Sequence, residues 1–285
     1  MADLAERHEH FAALHQSGCF VIPNPWDAGS ARLMAASGAK ALATTSAGLA
    51  FTKGRPDMGT VSRDEALAHA ADILAATALP VSGDFENGFA DAPEDVAETV
   101  RLAGEIGLSG CSIEDTSMAE GNPPYDFDLA VERVRAATSA ARSLGRPFVL
   151  CARADGIMNG HYDIDEAIRR ARAFEAAGAD LLYVPVPASL DDLGRIVQSL
   201  AKPVNALAAG PFAKYRKTDF EAIGIRRISV GSAIARLTHA AILEASGAAL
   251  ETGDFSPLLK AAKGSTIDAL LERGAGPPTS LAAER

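Results

Sequence analysis

The sequence predicts an α/β protein of the (β/α)8 barrel class, and three observations carry that expectation. Eight short apolar runs recur along the chain, at residues 19–22, 41–45, 81–83, 110–113, 148–152, 181–184, 204–207 and 227–230. Ala-rich amphipathic segments of helical length lie between them, among them 93–106, 129–143 and 165–177. Strands alternating with helices imply βαβ units and a parallel sheet. The length of 285 residues then fits eight such units plus an extension, since a barrel of this kind takes ~250 residues. A doubly wound open sheet is the alternative. It is disfavoured because no run is followed by Gly-x-Gly-x-x-Gly or by a phosphate-binding loop.

The punctuation between the runs agrees. Ser62 with Glu65, Asp91 with Glu94, Asp163 with Glu166 and Ser189 with Asp192 read as helix starts. Gly38, Gly107, Gly145, Gly178 and Gly224 each stand just before a strand and read as helix stops. Two other helices end at Pro80 and Pro203, where the missing N–H and the ring block continuation. Two loops after strands are long, 48–61 and 116–128, and at one barrel face they read as lids. The expected organisation is one barrel domain over 1–285, with 249–285 as a C-terminal helical and tail extension in which 274–285 frays or docks on a neighbour.

Composition bounds the function. A hydrophobic fraction of 48% and a charged fraction of 22% describe a globular chain with a substantial core. A net charge of −10 leaves no basic footprint for nucleic acid or an anionic membrane. Cys19, Cys111 and Cys151 lie far apart in strand-like runs and read as free thiols of a reducing compartment. The polar N-terminus has no signal-like apolar core, and no apolar stretch is long enough to span a bilayer, so a cytoplasmic location is expected.

In such a barrel, chemistry collects where the strands reach their C-terminal ends. There the chain places Trp26 and Asp27, then Thr44-Thr45-Ser46-Ala47-Gly48, then Asp84 and Glu86, then Glu114-Asp115, then Arg153 and Asp155, then Tyr183 and Asn205. Asp84 and Glu86 are two apart in an extended run, so both carboxylates share one side. Two such groups repel, and a hard divalent cation relieves them; oxygen ligands favour Mg2+ or Mn2+ over zinc. Glu114 is a third candidate ligand or the structural ion-pair partner of Arg153. Arg153 either neutralises the acidic cluster or clamps a substrate carboxylate with its planar fork. Ser46 is not in a Gly-x-Ser-x-Gly elbow, so its turn reads as an oxyanion holder rather than a nucleophile. Trp26 reads as packing or as part of the substrate wall.

These pieces, in order, resemble the isocitrate lyase / phosphoenolpyruvate mutase superfamily: Pro-Asn-Pro-Trp-Asp27-Ala, Thr-Thr-Ser46-Ala-Gly, Lys-Gly-Arg-Pro-Asp57, Gly-Asp84-Phe-Glu86-Asn-Gly-Phe, Ser-Ile-Glu114-Asp115 and Ala-Arg153-Ala-Asp155. The resemblance implies Mg2+ held at Asp84, with Asp57, Glu86 and Glu114 supporting it directly or through water. It also implies Arg153 on the substrate carboxylate, and Ser46 with the Ala47 N–H at an oxyanion. Trp26, Asp27, Gly48, Asn122, Tyr183 and Asn205 complete the candidate substrate-binding set, and Asp57 joins Ser46 and Arg153 as candidate catalytic residues. The family's substrates are small 2-oxo acids handled through enolate-like species, and its members form homodimers or homotetramers that often exchange the last barrel helix.

The loop after Glu114-Asp115 departs from the pattern. Lyase members carry Lys-[Lys/Arg]-Cys-Gly there; this chain reads Thr-Ser-Met-Ala-Glu-Gly-Asn-Pro-Pro-Tyr. Phosphonate-processing members present Lys, where this chain has Glu120. The leading expectation is therefore Mg2+-dependent C–C cleavage or decarboxylation of a small 2-oxo (di)carboxylate. Phosphonopyruvate mutase or hydrolase chemistry is the second reading, and a catalytically silent 2-oxo-acid binding protein the third.

Overall fold

Residues 4–275 are described in the computed structural model. Eight strands form one parallel sheet: β1 (Phe20–Ile22), β2 (Leu42–Ala43), β3 (Val81–Asp84), β4 (Gly110–Glu114), β5 (Val149–Arg153), β6 (Leu181–Tyr183), β7 (Val204–Leu207) and β8 (Arg227–Ser229). Their order is β1-β8-β7-β6-β5-β4-β3-β2. A backbone hydrogen bond from the Ala43 N–H to the Pro23 carbonyl, 3.1 Å, brings the two ends of that order together. The sheet is a nearly closed (β/α)8 barrel.

Around it run α1 (Leu4–Leu14), α2 (Ala28–Ala36), α3 (Ser46–Thr52), α4 (Arg63–Ala76), α5 (Pro93–Glu105), α6 (Phe127–Ser143), α7 (Ile164–Ala176), α8 (Leu190–Gln198), α9 (Lys217–Ala222), α10 (Ala233–Gly247) and α11 (Gly264–Gly274). The Ser62, Asp163 and Ser189 side chains accept hydrogen bonds from the third residue of α4, α7 and α8, as their spacing predicts. Asp91 does not cap α5. That helix begins at Pro93 with no side-chain cap, because proline at its first position has no N–H to satisfy. Asp91 instead accepts the Tyr125 hydroxyl. The segment 48–61 is also not all loop, for its first turns belong to α3.

Apolar side chains fill two layers. Leu42, Val81, Phe85 and Leu150 pack outward against α4 and α5, and on the far side Leu182 and Val204 pack outward into a cluster with Phe174 of α7 and Phe220 of α9. Phe20, Ile22, Val149, Cys151, Leu181 and Tyr183 face the barrel interior. Phe11 of α1 joins that inner cluster, so α1 contributes a buried side chain to the barrel's inner core. Side chains alternate along a strand. The register Glu114–Arg153–Tyr183–Asn205–Arg227 across β4 to β8 therefore lays a polar band on one inward face.

The C-terminal part leaves the barrel. Of α10 only Ala235 is buried, while Leu237 is 69% exposed, Leu243 73% and, further on, Leu259 88%. α11 returns and packs on α2, where Gly274 is required: a Cβ there would lie 1.9 Å from the Arg32 carbonyl oxygen. Residues 276–285, most of the expected tail, lie outside the described residues. No helix among the described residues is long and apolar enough to cross a membrane.

Candidate active site

The C-terminal mouth of the barrel is built from five consecutive strand ends. Thr44, Thr45 and Ser46 follow β2. The Thr45 hydroxyl caps α3 by accepting the Gly48 N–H at 3.3 Å, so Ser46 becomes its first residue. A carboxylate is favoured at such a helix start. Asp84 takes that place: its Oδ2 accepts the Ser46 N–H at 2.9 Å and the Ser46 hydroxyl at 3.0 Å. Its backbone N–H donates to the Thr44 hydroxyl at 2.7 Å. Its Oδ1 accepts the Ser112 hydroxyl at 3.2 Å and Arg153 Nη1 at 3.0 Å.

Arg153 gathers the rest. Its Nη2 meets Glu114 Oε2 at 2.9 Å, and its Nε donates to Asp155 Oδ1 at 3.1 Å, with Nη2 also on Asp155 Oδ2. Burial works against the charged guanidinium, but Asp155, Glu114 and Asp84 outweigh it, and its pKa stands well above the ordinary value. The Tyr183 ring lies under it, 5.3 Å from centroid to Cζ. Glu114 is 4% exposed and its Oε1 has no hydrogen-bond partner. Desolvation raises its pKa well above the usual carboxylate range, with Arg153 pulling the other way.

Glu86 is buried and takes φ +45°, a left-handed conformation rare outside glycine. Its carboxylate accepts the Gly59 N–H at 3.2 Å. Desolvation, then the Asp84 charge, pushes it up to about 7. Asp57 stands at the rim, accepting its neighbour Met58's N–H at 2.9 Å, and its pKa is raised by partial desolvation and by Asp84. Met58, Phe89, Asn122 and Val186 also have positive φ, and all lie in loops after strands, at the mouth. Backbone strain of this kind concentrates at functional ends.

The structure thus brings Ser46, Asp84, Glu114, Arg153 and Tyr183 together, with Glu86 and Asp57 within electrostatic reach. Ala47 and Gly48 are buried in α3, where a Cβ on Gly48 would meet Thr45 at 2.5 Å and Trp26 at 3.0 Å. The other candidates are committed to other contacts. Asp27 caps α2 by accepting the Ser30 N–H at 2.6 Å. Trp26 lines a cavity of about 940 Å3 on the outer wall, beside α2 and α10. Asn205 is buried further along the inner band, where it accepts Arg227 Nε at 2.8 Å and donates to the Ser229 hydroxyl at 3.0 Å. Asn122 hydrogen-bonds within its own loop, to the Ala119 carbonyl. Ser112 and Gly59 belong to the site although their residue types did not mark them; the signal for Ser112 is its register directly opposite Asp84, while Thr44 joins through its hydroxyl on the Asp84 N–H.

Among the described residues no group of three carboxylate, imidazole or thiol side chains stands ready to hold one metal ion. Arg153 takes oxygens of Asp84, Glu114 and Asp155. The donor chemistry nonetheless suits a hard cation. Every candidate ligand is an oxygen, and the buried Glu114 Oε1 is left without a donor.

Residues 11–250 match the family model described as phosphoenolpyruvate phosphomutase. The chain belongs to that family. With it comes membership of the isocitrate lyase / phosphoenolpyruvate mutase superfamily. An uncharacterized protein of Mycobacterium tuberculosis is 33% identical over 224 residues, covering 78% of this chain and 81% of its own. The 2,3-dimethylmalate lyase of Eubacterium barkeri is 27% identical over 213 residues, 72% of each chain. A solved structure of a candidate lyase/mutase from Burkholderia cenocepacia J2315 superposes with a TM-score of 0.92 at 44% identity, covering 97% of this chain and 99% of that one. Family membership with such relatives supports an enzyme with lyase-type or mutase-type chemistry.

Proposed function

We propose that this member of the phosphoenolpyruvate phosphomutase family cleaves or decarboxylates a small 2-oxo (di)carboxylate, through an enolate-like species and with Mg2+ as cofactor. The supporting observation is the mouth itself, where one guanidinium faces Asp84, Glu114 and Asp155 beside an unpartnered Glu114 oxygen. The lyase named for 2,3-dimethylmalate among the relatives supports a small branched or plain dicarboxylate substrate. Asp84, Glu86 and Glu114, with Asp57 at the rim, would hold Mg2+, or Mn2+ in its place. When bound, that ion supplies Lewis acidity toward a 2-oxo carbonyl.

The chain's own groups divide the remaining work. Arg153 receives the substrate carboxylate, and Asp155 holds the guanidinium plane while it does so. The Ser46 hydroxyl and the Ala47 N–H stand at the start of α3, where positive helix-end charge favours a developing oxyanion. Segment 116–126, tied across by the Thr116–Pro124 bridge, sets Met118 beside Gly59 and Glu86 and serves as a lid that excludes water. The C-terminal apolar residues Leu237, Leu243 and Leu259 are covered in a homodimer or homotetramer.

The test is turnover by the purified protein with Mg2+ of oxaloacetate, 2-methylisocitrate and phosphonopyruvate. Turnover of either of the first two is expected. A new phosphorus-31 resonance from phosphonopyruvate would instead establish phosphonate chemistry, which the family's description favours and the exposed Glu120 in the lid disfavours. Oxalate binding without turnover of any of the three would mark a silent binder.

A further inference from the structure

Asp115 follows the last residue of β4, so its side chain points away from the Glu114 side, out of the barrel mouth and into the layer under α7. It is 3% exposed. Its Oδ1 accepts the Asp155 N–H at 2.8 Å, and its Oδ2 accepts the Tyr162 hydroxyl at 2.9 Å and Arg170 Nη1 at 3.0 Å. Its backbone does the same work. The Asp115 N–H donates to the Arg153 carbonyl at 3.1 Å, and its carbonyl accepts the Tyr125 N–H at 2.8 Å.

These bonds tie three segments to one side chain: the end of β5 that carries Arg153 and Asp155, the 156–162 loop, and the 116–126 lid. Arg170 completes the link by donating to the Tyr125 carbonyl at 2.9 Å and lying 5.1 Å from the Tyr162 ring. Two further bonds rest the lid on the 156–162 loop, from Asn159 Nδ2 to the Thr116 hydroxyl at 3.1 Å and between His161 Nε2 and the Gly121 carbonyl at 2.8 Å. No neutral side chain of this size can accept three donors and also balance the buried Arg170 charge.

We propose that Asp115 is a positioning residue, which couples the lid to the orientation of Arg153 by fixing the Asp155 backbone from one carboxylate oxygen and the lid's anchor, Tyr162 and Arg170, from the other. This rests on the reading of Arg153 as the substrate clamp. Asp115 touches neither substrate nor metal. It acts through Asp155, whose carboxylate holds Arg153 Nε and Nη2. Lid closure and carboxylate gripping are then one event rather than two.

The experiment uses Asp115→Asn and Tyr162→Phe in the full chain with Mg2+, with oxalate as the probe. Hydrogen exchange is read over 116–126 and 154–162, and oxalate and Mg2+ affinities are measured by calorimetry. Asp115→Asn is expected to weaken oxalate at least about 10-fold, the scale of one lost charge-assisted hydrogen bond, while Mg2+ affinity stays within about 2-fold. Both segments exchange faster together, with β1 and β8 unchanged. A uniform loss of protection across the barrel would show a merely structural ion pair and overturn the proposal. So would loosened segments with unchanged oxalate affinity. Should Asp115→Asn not fold, Tyr162→Phe, which keeps the Arg170 pair, carries the same readouts with smaller shifts. Were the wild type to bind no oxalate, the clamp reading would fail, and the exchange data would still decide the coupling: joint loosening supports it, and loosening of one segment alone refutes it.

Discussion

Arg153→Lys is the sharpest test of the clamp. The guanidinium reaches Asp84 through Nη1, Glu114 through Nη2, and Asp155 through Nε and Nη2. Its side chain is only 12% exposed, so solvent screens these contacts weakly. Lysine keeps the charge but offers one nitrogen on a flexible stem, which cannot present two parallel donors to a carboxylate. The charge-assisted bonds it forfeits are worth about 1.5–3 kcal/mol each. Losing one of a bidentate pair on the ligand at about 2 kcal/mol corresponds to roughly 30-fold weaker oxalate binding. Mg2+ affinity should change by no more than about 3-fold, since the proposed ligands are carboxylates and the local charge is preserved. Titrating Mg2+ first and oxalate second, in one calorimetric series, separates the two affinities, and circular dichroism checks the fold. An equal loss of both affinities would make Arg153 a structural tie among acidic groups. Unchanged oxalate binding would remove it from the substrate site altogether.

Asp84→Ala should abolish Mg2+ binding with the fold retained, because the carboxylate's partners, Ser46, Ser112 and Arg153, are all at the mouth; undiminished calorimetric affinity for Mg2+ refutes the assignment. His15 is buried against Phe11 and Phe20, and burial with the nearby Arg227 charge lowers its pKa to about 3. The fold holds it neutral, so protonation favours the unfolded chain. Stability should fall as pH drops below the unfolded value of about 6.5, with a slope approaching about 1.4 kcal/mol per pH unit until about 3. Chemical denaturation of His15→Gln across pH 4–7, a range of about three units, should show that contribution gone, and an unchanged slope would contradict it. Leu243→Lys combined with Leu259→Lys places charges on the exposed apolar C-terminal segment. Sedimentation should then show smaller species than the wild type, and identical oligomers would place the interface elsewhere.

The barrel was legible because each unit repeats the same local agreement of period, cap and stop. Ser62, Asp163 and Ser189 cap as their spacing requires, and Pro80 and Pro203 stand directly before β3 and β7. Asp91 misled because a cap-like residue two positions before a proline is not needed where proline itself removes the orphan donor. α1 carried little signal: it buries Arg7 and His8 beside Phe11, so its inward face is not apolar. α3 was hidden because Ser-Ala-Gly-Leu reads as a turn, and only the Thr45 cap and the Asp84 carboxylate make it a helix. The ligand-type residues were readable as strand-end carboxylates, since side-chain parity follows from the strand alone. Their pairing with Arg153 was not, because it depends on register between strands 69 residues apart, as in Arg153 and Asp84.

The electrostatics of the mouth explain why these particular residues belong together. Asp84, Glu114 and Asp155 hold a single guanidinium with Glu86 within electrostatic reach, and Glu86, Glu114 and Asp155 are buried. A carboxylate substrate adds further negative charge to a place already short of cations. Arg153 cannot both neutralise three protein carboxylates and receive a fourth from the substrate, because its five N–H donors are largely committed. On the proposed reading Asp84, Glu86 and Glu114 would hold a divalent cation that balances their charge, and Arg153 Nη1 and part of Nη2 would then be free for the substrate while Asp155 keeps the guanidinium plane. On this reasoning Asp155, 0% exposed, is the carboxylate that keeps its hold on Arg153 through binding, and Asp115 fixes it from behind by accepting the Asp155 N–H.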